Sequence, residues 1–214
     1  MTYSVKDIYY TLQGEGARTG RPAVFLRFAG CNLWSGREQH RSAAVCRFCD
    51  TDFVGTDGPG GGKFESPRKL AQAAAAKWPS DGPTNRPYVV CTGGEPLLQL
   101  DVAAITALHE AGFEIGVESN GTIAAPPGID WLCISPKGRA PVTQRSGDEL
   151  KLVYPQQEQE AQPDRFASLA FDNFYLQPLH GDNTETNTRD AIAFCLEHPQ
   201  WKLSLQTHKI IGID

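Results

Sequence analysis

Seven short apolar runs, rich in Val, Ile, Leu, Phe and Tyr, are spaced along the chain and predict β-strands. They lie at Ala23–Phe28, Tyr88–Cys91, Glu114–Glu118, Trp131–Ile134, Glu149–Val153, Phe174–Gln177 and Lys202–Gln206. Helical patterns follow several of them, at Pro67–Trp78, Pro96–Ala111, about 158–169 and Thr188–His198. Strands that alternate with helices favour a parallel sheet with helical crossovers.

Two of the predicted helices carry recognisable signals at their ends. Ser66 can cap the N-terminus of the first, and Pro67 stands where its missing N–H has no cost. Pro96 is expected to begin the second helix, and Gly112 to end it in a left-handed conformation.

Polar residues follow the carboxyl ends of five predicted strands. These segments are Thr92–Pro96, Ser119–Thr122, Ser135–Lys137, Gln177–Pro178 and Gln206–Lys209. In a parallel β/α barrel all such ends lie on one face, where the loops build the active site. The chain has 214 residues, fewer than the ~250 of a complete eight-fold barrel. We therefore predict an α/β fold, a partial, open β/α barrel of parallel strands, in one domain that spans residues 1–214.

Composition and charge narrow the classes of partner. Hydrophobic residues make up 40% of the chain and charged residues 21%, as is typical of globular proteins. The net charge of −5 argues against a large nucleic-acid surface, which needs a basic excess. No apolar run approaches the ~20 residues of a membrane span, and residues 1–10 lack the features of a signal peptide. We expect a cytoplasmic protein that binds neither nucleic acid nor membrane.

The Gly-rich segment 55–63, with the sequence GTDGPGGGK, is similar at first sight to a phosphate-binding loop. A Walker motif needs glycine where Asp57 stands and Ser or Thr where Phe64 stands. A dinucleotide motif needs a third glycine at the position of Lys63. We therefore predict a flexible loop without a phosphate site.

The six cysteines fall into two groups. Cys91, Cys133 and Cys195 are dispersed in apolar surroundings and are interpreted as buried small hydrophobic residues. The other three, Cys31, Cys46 and Cys49, lie in one segment, and the last two form a C-x-x-C pair. Disulfides are disfavoured in a reducing compartment.

Several kinds of site could use the three cysteines of this segment. A structural zinc site would need a fourth ligand, for which His40 and Asp50 are near. A zinc deaminase would show H-x-E and P-C-x-x-C motifs, which do not accompany this pair. Three thiolates could hold an iron–sulfur cluster and leave one iron open. From the spacing alone, zinc, an iron–sulfur cluster and unligated or redox thiols all remain possible.

Several motifs occur together with the cysteines. They are YTLQGEG at 10–16, RFAGCNL at 27–33, Phe48 before Cys49, DTD at 50–52, and GGEP at 93–96 after a strand. In combination they resemble the radical S-adenosylmethionine enzymes and, within them, the 7-carboxy-7-deazaguanine synthase family, from about residue 3 to the C-terminus. The common cluster motif has three residues between its first two cysteines, and this chain has 14. The extra segment, residues 34–45, must therefore loop out so that the thiolates converge.

The resemblance implies a specific reaction. Cys31, Cys46 and Cys49 would bind a [4Fe-4S] cluster whose open iron binds S-adenosyl-L-methionine, and the cofactor carries the difficult chemistry. A radical ring contraction would convert 6-carboxytetrahydropterin to 7-carboxy-7-deazaguanine with loss of ammonia, on the route to queuosine. The resemblance also implies Mg2+, a flavodoxin-type electron donor and a homodimer.

The resemblance further implies a role for individual residues. Cofactor contacts would come from Phe48, Asp50, Gly94, Ser135, Pro136, Lys137, Gln177, Pro178, Leu179 and His180. Substrate contacts would come from Leu12, Gln13, Gly14, Glu15, Arg27, Thr92 and Asp214, and Thr51 would bind Mg2+. Gly94 lies where a strand meets a helix N-terminus, and the unpaired N–H groups of such a position suit a charged ligand.

Arg27 has a physical argument of its own. It is a charge within the apolar run 23–28, and a buried arginine needs an anionic partner. The substrate carboxylate could supply this partner, and a structural salt bridge is the alternative.

The C-terminal tail is expected to belong to the active site. Eight residues follow the last predicted strand, and Ile210, Ile211 and Ile213 could anchor them over the barrel mouth. The terminal carboxylate of Asp214 could then accept hydrogen bonds from the donor edge of an aminopyrimidine ring, as the family resemblance implies.

Two other functions are alternatives. A glycyl-radical-enzyme activase shares the small size and the cluster but acts on a protein, and a noncatalytic metal or redox-sensing module would use the thiols alone. The QGEG segment at 13–16 and Arg27 favour a small carboxylated substrate.

Overall fold

A nine-stranded sheet forms the frame of residues 2–79 and 86–213, the part of the chain that this computed structural model describes. The strands are β1 (Tyr3–Leu12), β2 (Pro22–Phe28), β3 (Gly62–Phe64), β4 (Tyr88–Gly93), β5 (Glu114–Ser119), β6 (Trp131–Ile134), β7 (Ser146–Tyr154), β8 (Ala170–Pro178) and β9 (Trp201–Leu203). Their order in the sheet is β3-β1-β2-β4-β5-β6-β7-β8-β9. The sheet stays open, because β3 and β9 are its two edges.

The seven predicted strands are present and run parallel to one another from β2 to β9. The α/β open barrel is thereby confirmed, although the sheet is mixed, because β1 pairs antiparallel with both β2 and β3. These two strands were not predicted. The last strand also ends at Leu203 rather than Gln206.

The four α-helices of the described residues are α1 (Pro67–Ala75), α2 (Val102–Glu110), α3 (Thr184–Glu197) and α4 (Thr207–Ile211). Ser66 caps α1 by accepting the N–H of Lys69, as predicted. The predicted helix 96–111 is wrong at its start: residues 96–98 form a separate 3-10 turn, and α2 begins after Asp101, which accepts the N–H of Ala104. Asp101 is a strong N-cap, because its carboxylate accepts an N–H of the first turn of α2 that has no partner within the helix.

The predicted helix near residues 158–169 is also wrong. Two 3-10 turns, 159–161 and 163–165, take its place. Pro163 is the first residue of the second turn, and because it has no N–H to donate it interrupts any continuous helix. At the other end of α2, Gly112 adopts a φ of 91°, which confirms its predicted role.

The Gly-rich segment 55–63 is not a loose loop as predicted. The N–H of Gly58 donates to the carbonyl of Lys6 at 2.9 Å, and the N–H of Ile8 donates to the carbonyl of Pro59 at 2.8 Å. A Cβ at Gly61 would lie 2.1 Å from the Lys6 carbonyl oxygen. The glycines therefore allow this segment to pack against β1, and its end becomes β3.

The two faces of the parallel strands have different chemistry, because successive side chains point to opposite faces. One face carries the main apolar core, with Leu26, Val89, Ile115, Ile134, Leu150 and Leu176 almost fully buried. The other face carries polar residues one position away, among them Arg27, Thr92, Glu118, Lys151 and Gln177. The inner face of the open barrel is thus a polar surface on a rigid apolar support. No helix among the described residues is long and apolar enough to span a membrane.

Candidate active site

A cavity of about 660 Å³ opens at the carboxyl ends of the parallel strands, a size typical of small-molecule sites. Its wall includes 17 of the residues that the sequence predicted, namely Leu12, Gln13, Gly14, Glu15, Arg27, Phe48, Cys49, Asp50, Thr51, Thr92, Gly94, Ser135, Lys137, Gln177, Pro178, Leu179 and His180. These residues come from the ends of five strands, β1, β2, β4, β6 and β8, and from the cysteine segment, so the fold brings them together in one cavity.

Four predicted site residues do not line this cavity. Pro136 is buried, and its carbonyl accepts a hydrogen bond from the Gln156 amide at 3.3 Å. Cys31 and Cys46 lie beside Cys49 in the loop that forms part of the wall. Asp214 lies outside the described residues.

The inserted segment 34–45 returns to its starting point. The N–H groups of Val45 and Cys46 both donate to the carbonyl of Leu33, at 3.1 and 3.4 Å. Cys46 is thereby brought next to the residues that follow Cys31 and within hydrogen-bonding reach of the Cys49 thiol. The insertion therefore adds a loop without separating the cysteines.

The three thiols have different proton affinities. The hydrogen bond from Cys46 lowers the pKa of Cys49 to about 6, with help from the N–H of Thr51 and the ammonium of Lys137, although burial opposes the shift. Donating that bond raises the pKa of Cys46 far above its usual range, and burial raises the pKa of Cys31. The lowered pKa favours the thiolate form of Cys49, which is the form that binds metals.

The donor set fits an iron–sulfur cluster better than a single ion. Among the described residues, no three His, Cys, Asp or Glu side chains converge closely enough to hold one metal ion. The suggested zinc ligand His40 is exposed and pairs with the hydroxyl of Ser35 at 2.8 Å. A cluster suits three neighbouring thiols that do not converge on one point, because each thiolate would bind a different iron.

The GGEP turn forms the wall beside the cysteines. A Cβ at Gly94 would lie 2.2 Å from the Gly30 carbonyl oxygen and 2.8 Å from the Cβ of Cys31. Glycine is therefore required for the turn to approach the cysteine loop. The fully buried Glu95 accepts hydrogen bonds from Leu97 N–H, the Ser119 hydroxyl and Asn120 N–H, at 3.0, 2.9 and 2.7 Å. These contacts join the ends of β4 and β5.

The floor of the cavity holds a buried ion-pair network that the sequence analysis missed. The ammonium of Lys151 lies 2.7 Å from a carboxylate oxygen of Glu15 and 3.2 Å from one of Glu118, and the Lys151 side chain is only 4% exposed. The amide of Gln13 donates to the same Glu118 oxygen at 3.0 Å. A charge inside an apolar strand, the signal used for Arg27, also marks Lys151 and Glu118.

The network shifts the pKa values of Glu15 and Lys151 toward their charged forms. Burial by itself would raise the pKa of Glu15, but the adjacent Lys151 outweighs it and lowers that pKa to about 2. Burial by itself would lower the pKa of Lys151, but Glu118 and Glu15 raise it well above its ordinary value. Two carboxylates thus share one ammonium and present hydrogen-bond acceptors to the cavity.

Arg27 has a protein partner as well as a place in the cavity wall. Its Nε lies 3.2 Å from a carboxylate oxygen of Asp7, and its Nη2 donates to the hydroxyl of Tyr9 at 2.6 Å. The structural salt bridge weighed from the sequence is therefore present. The role of Arg27 in substrate binding stays a prediction.

The C-terminal segment covers one side of the cavity, but its anchors differ from those predicted. Thr207 donates through both its N–H and its hydroxyl to the carbonyl of Gly14, each at 2.9 Å. The amide of Gln206 donates to Glu15 at 2.9 Å, and the ammonium of Lys209 pairs with Asp50.

The predicted isoleucine anchor is wrong. Ile210, Ile211 and Ile213 are 69%, 59% and 38% exposed. The segment is a short helix rather than an extended tail. Its first turn makes the polar contacts to the cavity, and the isoleucines that follow face solvent.

Comparison with known proteins gives matches along the whole chain. No family model matched. The 7-carboxy-7-deazaguanine synthase of Caulobacter vibrioides is 63% identical over 213 residues, which cover 100% of both chains. The protein of the same name from Bordetella pertussis is 61% identical over 213 residues, again with 100% of both chains covered.

A solved structure has the same fold. The crystal structure of QueE from Escherichia coli superposes with a TM-score of 0.71 at 28% identity. The match covers 97% of this chain and 95% of that one. The similarity therefore includes both the sheet and the segments that build the cavity.

Proposed function

This chain belongs to the 7-carboxy-7-deazaguanine synthase family, and on that premise we propose that it converts 6-carboxytetrahydropterin to 7-carboxy-7-deazaguanine with loss of ammonia. The observation that carries the proposal is one cavity with a cysteine loop in its wall and an acceptor-rich floor. The relatives agree with a synthase of 7-deazapurine (queuosine) biosynthesis. They do not agree with a glycyl-radical-enzyme activase or a redox-sensing module.

We assign the cysteine side of the cavity to the cofactors. Cys31, Cys46 and Cys49 would hold a [4Fe-4S] cluster, and Gly94, Phe48, Asp50, the segment 135–137 and the segment 177–180 would hold S-adenosyl-L-methionine. When bound, these groups supply the radical chemistry of the ring contraction. Pro136 could act only through the loop that carries its neighbours, because its ring is buried away from the cavity.

The opposite side of the cavity suits the pterin. Glu15 and Glu118 are held as acceptors for the N–H groups of an aminopyrimidine ring. Arg27 and Gln13 would orient the carboxylate, while Thr92 and the backbone of Leu12 and Gly14 would contact the ring. The C-terminal segment bonded to Gly14 would exclude water from the bound substrate.

An anaerobic assay tests this function. The reconstituted protein should be brown, contain about four irons per chain, and convert 6-carboxytetrahydropterin to a product with the mass of 7-carboxy-7-deazaguanine. The assay needs reductant, S-adenosyl-L-methionine and Mg2+. A colourless zinc protein, or a cluster-loaded protein that leaves the pterin unchanged, would contradict the proposal.

Magnesium binding is proposed for Thr51, which lines the cavity two residues after Cys49. Mg2+ keeps several waters and takes few protein ligands, so one hydroxyl and the substrate carboxylate could suffice. We expect Thr51→Ala to need roughly 10-fold more Mg2+ for half-maximal activity, with an unchanged iron content.

The control for this measurement is Thr56→Ala, since Thr56 lies in the same segment of the chain but not in the cavity wall. It should show the magnesium titration of the parent. A Thr51→Ala enzyme that responds to Mg2+ like the parent would remove Thr51 from the site.

The terminal carboxylate of Asp214 is proposed to accept hydrogen bonds from the substrate. Support comes from Gln206, His208 and Lys209, which line the cavity shortly before the chain end. Adding three residues after Asp214 should raise KM for the pterin by roughly 10-fold, the cost of losing one charge-assisted hydrogen bond. Cofactor cleavage without substrate should not change.

The matching control adds the same three residues before Met1. That protein should keep the KM of the parent. An unchanged KM in the C-terminal extension would show that the tail has no part in substrate binding.

We further propose that the chain acts as a homodimer in the cytoplasm, receives electrons from a flavodoxin-type donor and forms one domain over residues 1–214. The family resemblance supports the homodimer and the electron donor.

A further inference from the structure

Arg41, in the insertion between Cys31 and Cys46, makes contacts with three parts of the cluster loop. Its guanidinium lies 4.1 Å from the centroid of the Trp34 ring, and its Nε donates to the two carboxylate oxygens of Glu38 at 2.9 and 2.8 Å. Its Nη1 donates to the carbonyl oxygens of Arg47 and Cys49, at 2.9 and 3.1 Å. One side chain thus joins the insertion to the C-x-x-C turn.

The aromatic ring on which the Arg41 guanidinium packs is itself buried. The Trp34 ring is 8% exposed and packs edge-to-face on Phe53, with centroids 5.7 Å apart. Cys31 and Cys49 pack against the same apolar cluster. Arg41 therefore links a buried ring to the turn that carries two of the three cysteines. The fixed ring restricts where that turn can lie.

The two carbonyl bonds bracket Phe48, which lines the cavity. Fixing the carbonyls of residues 47 and 49 fixes the 47–48 and 49–50 peptide planes, which flank the Phe48–Cys49 pair, and so restricts the backbone to which Cys49 is attached. Arginine suits this task better than lysine, because its planar fork can lie flat on a ring and still donate several directed bonds.

We propose that Arg41 is a positioning residue that holds the Cys46–Cys49 turn in the conformation that receives the cluster. The proposal rests on the proposed function, since it assumes that these cysteines are cluster ligands. The 12-residue insertion thereby has a structural role, because it carries the side chain that restricts the conformation of the turn.

The first test uses the chain without cofactor. Hydrogen exchange of backbone amides in peptides that cover residues 44–50 should be roughly 10-fold faster in Arg41→Ala, as the loss of one charged hydrogen bond predicts. Arg41→Lys should resemble Arg41→Ala, because a lysine cannot keep both the stacking and the two carbonyl bonds. Arg37→Ala is the control: it removes the same charge from an exposed position in the same insertion and should exchange like the parent.

The second test uses anaerobically reconstituted protein. Arg41→Ala should lower the affinity for the cluster by roughly 10-fold, the usual effect of losing an outer-shell contact. The cluster that remains should show a shifted reduction potential and a changed EPR signal on adding S-adenosyl-L-methionine, whereas Arg37→Ala should match the parent in both.

Parent-like exchange, iron content, potential and EPR signal in Arg41→Ala or Arg41→Lys would overturn the proposal. Failure of the proposed function has a different signature. In that event the parent itself binds no cluster, and the exchange measurement still decides whether Arg41 orders the turn.

Discussion

Replacing Cys49 by alanine is expected to abolish cluster binding and turnover while the protein stays folded. Cys49 is the cysteine of the loop whose pKa is lowered, and it lines the cavity, whereas the main core lies on the other face of the sheet and does not include it. Iron content, product formation and circular dichroism of the anaerobically purified variant measure these three properties.

A second cysteine provides the matched control. Cys195 lies in α3, is half-buried and packs against the main core, so Cys195→Ala removes a thiol of similar exposure from a distant site. It should keep full iron content and activity and lose only a little stability. Full cluster content in Cys49→Ala would refute the ligand assignment.

Replacing Lys151 by methionine is expected to have the second largest effect, on both stability and substrate binding. Removing one member of a buried charge network leaves the remaining charge uncompensated, at a cost of about 3–5 kcal/mol in the free energy of unfolding. Glu15 and Glu118 would then repel each other, and their oxygens would no longer be held as acceptors. Urea unfolding and the dissociation constant of 6-carboxytetrahydropterin measure the two losses.

A rescue variant separates the two effects. Adding Glu118→Gln to Lys151→Met removes one of the repelling charges and should recover part of the stability, because Glu15 then lies beside a neutral amide. Substrate binding should stay weak, since an acceptor is still missing. A Lys151→Met protein with parental stability and affinity would show that the network has no role in either.

The pH dependence of stability should change sign in Lys151→Met. In the parent, Glu15 has a pKa lowered from 4.5 to about 2, so its contribution is present above pH 4.5 and is lost as the pH falls toward 2. Without the ammonium, burial would raise the carboxyl pKa, and the folded state would bind a proton more readily than the unfolded state. Lowering the pH from 7 to about 5 should then stabilise the variant, which urea titrations at several pH values would detect.

Much of the sheet could be predicted from the sequence because each parallel strand is buried on its core face and reads as a local apolar run. β1 was not predicted, because it lacks such an apolar run. Its residues alternate between buried and half-exposed positions, with a bulge between Val5 and Asp7, so it contains no continuous apolar run. Its pairing with β2 and β3 becomes apparent only across the sheet.

The cysteine motif and the strand-end motifs are also formed by residues close together in the sequence. They correctly predicted most of the residues that line the cavity. The sequence by itself therefore determined where most strands lie, which segments meet at their carboxyl ends and which family the chain resembles. These features depend on neighbours in the chain, where spacing and side-chain type act directly.

Only the tertiary structure decided which charges meet. Glu15, Glu118 and Lys151 lie in separate segments, and their pairing depends on the alternation of β5 and β7 and on the turn that follows β1. Arg41 likewise reaches the carbonyls of residues 47 and 49 only because the insertion closes at Leu33. Which buried charges form pairs depends on distances of a few ångströms between segments far apart in the chain. Those distances arise only when the sheet is assembled.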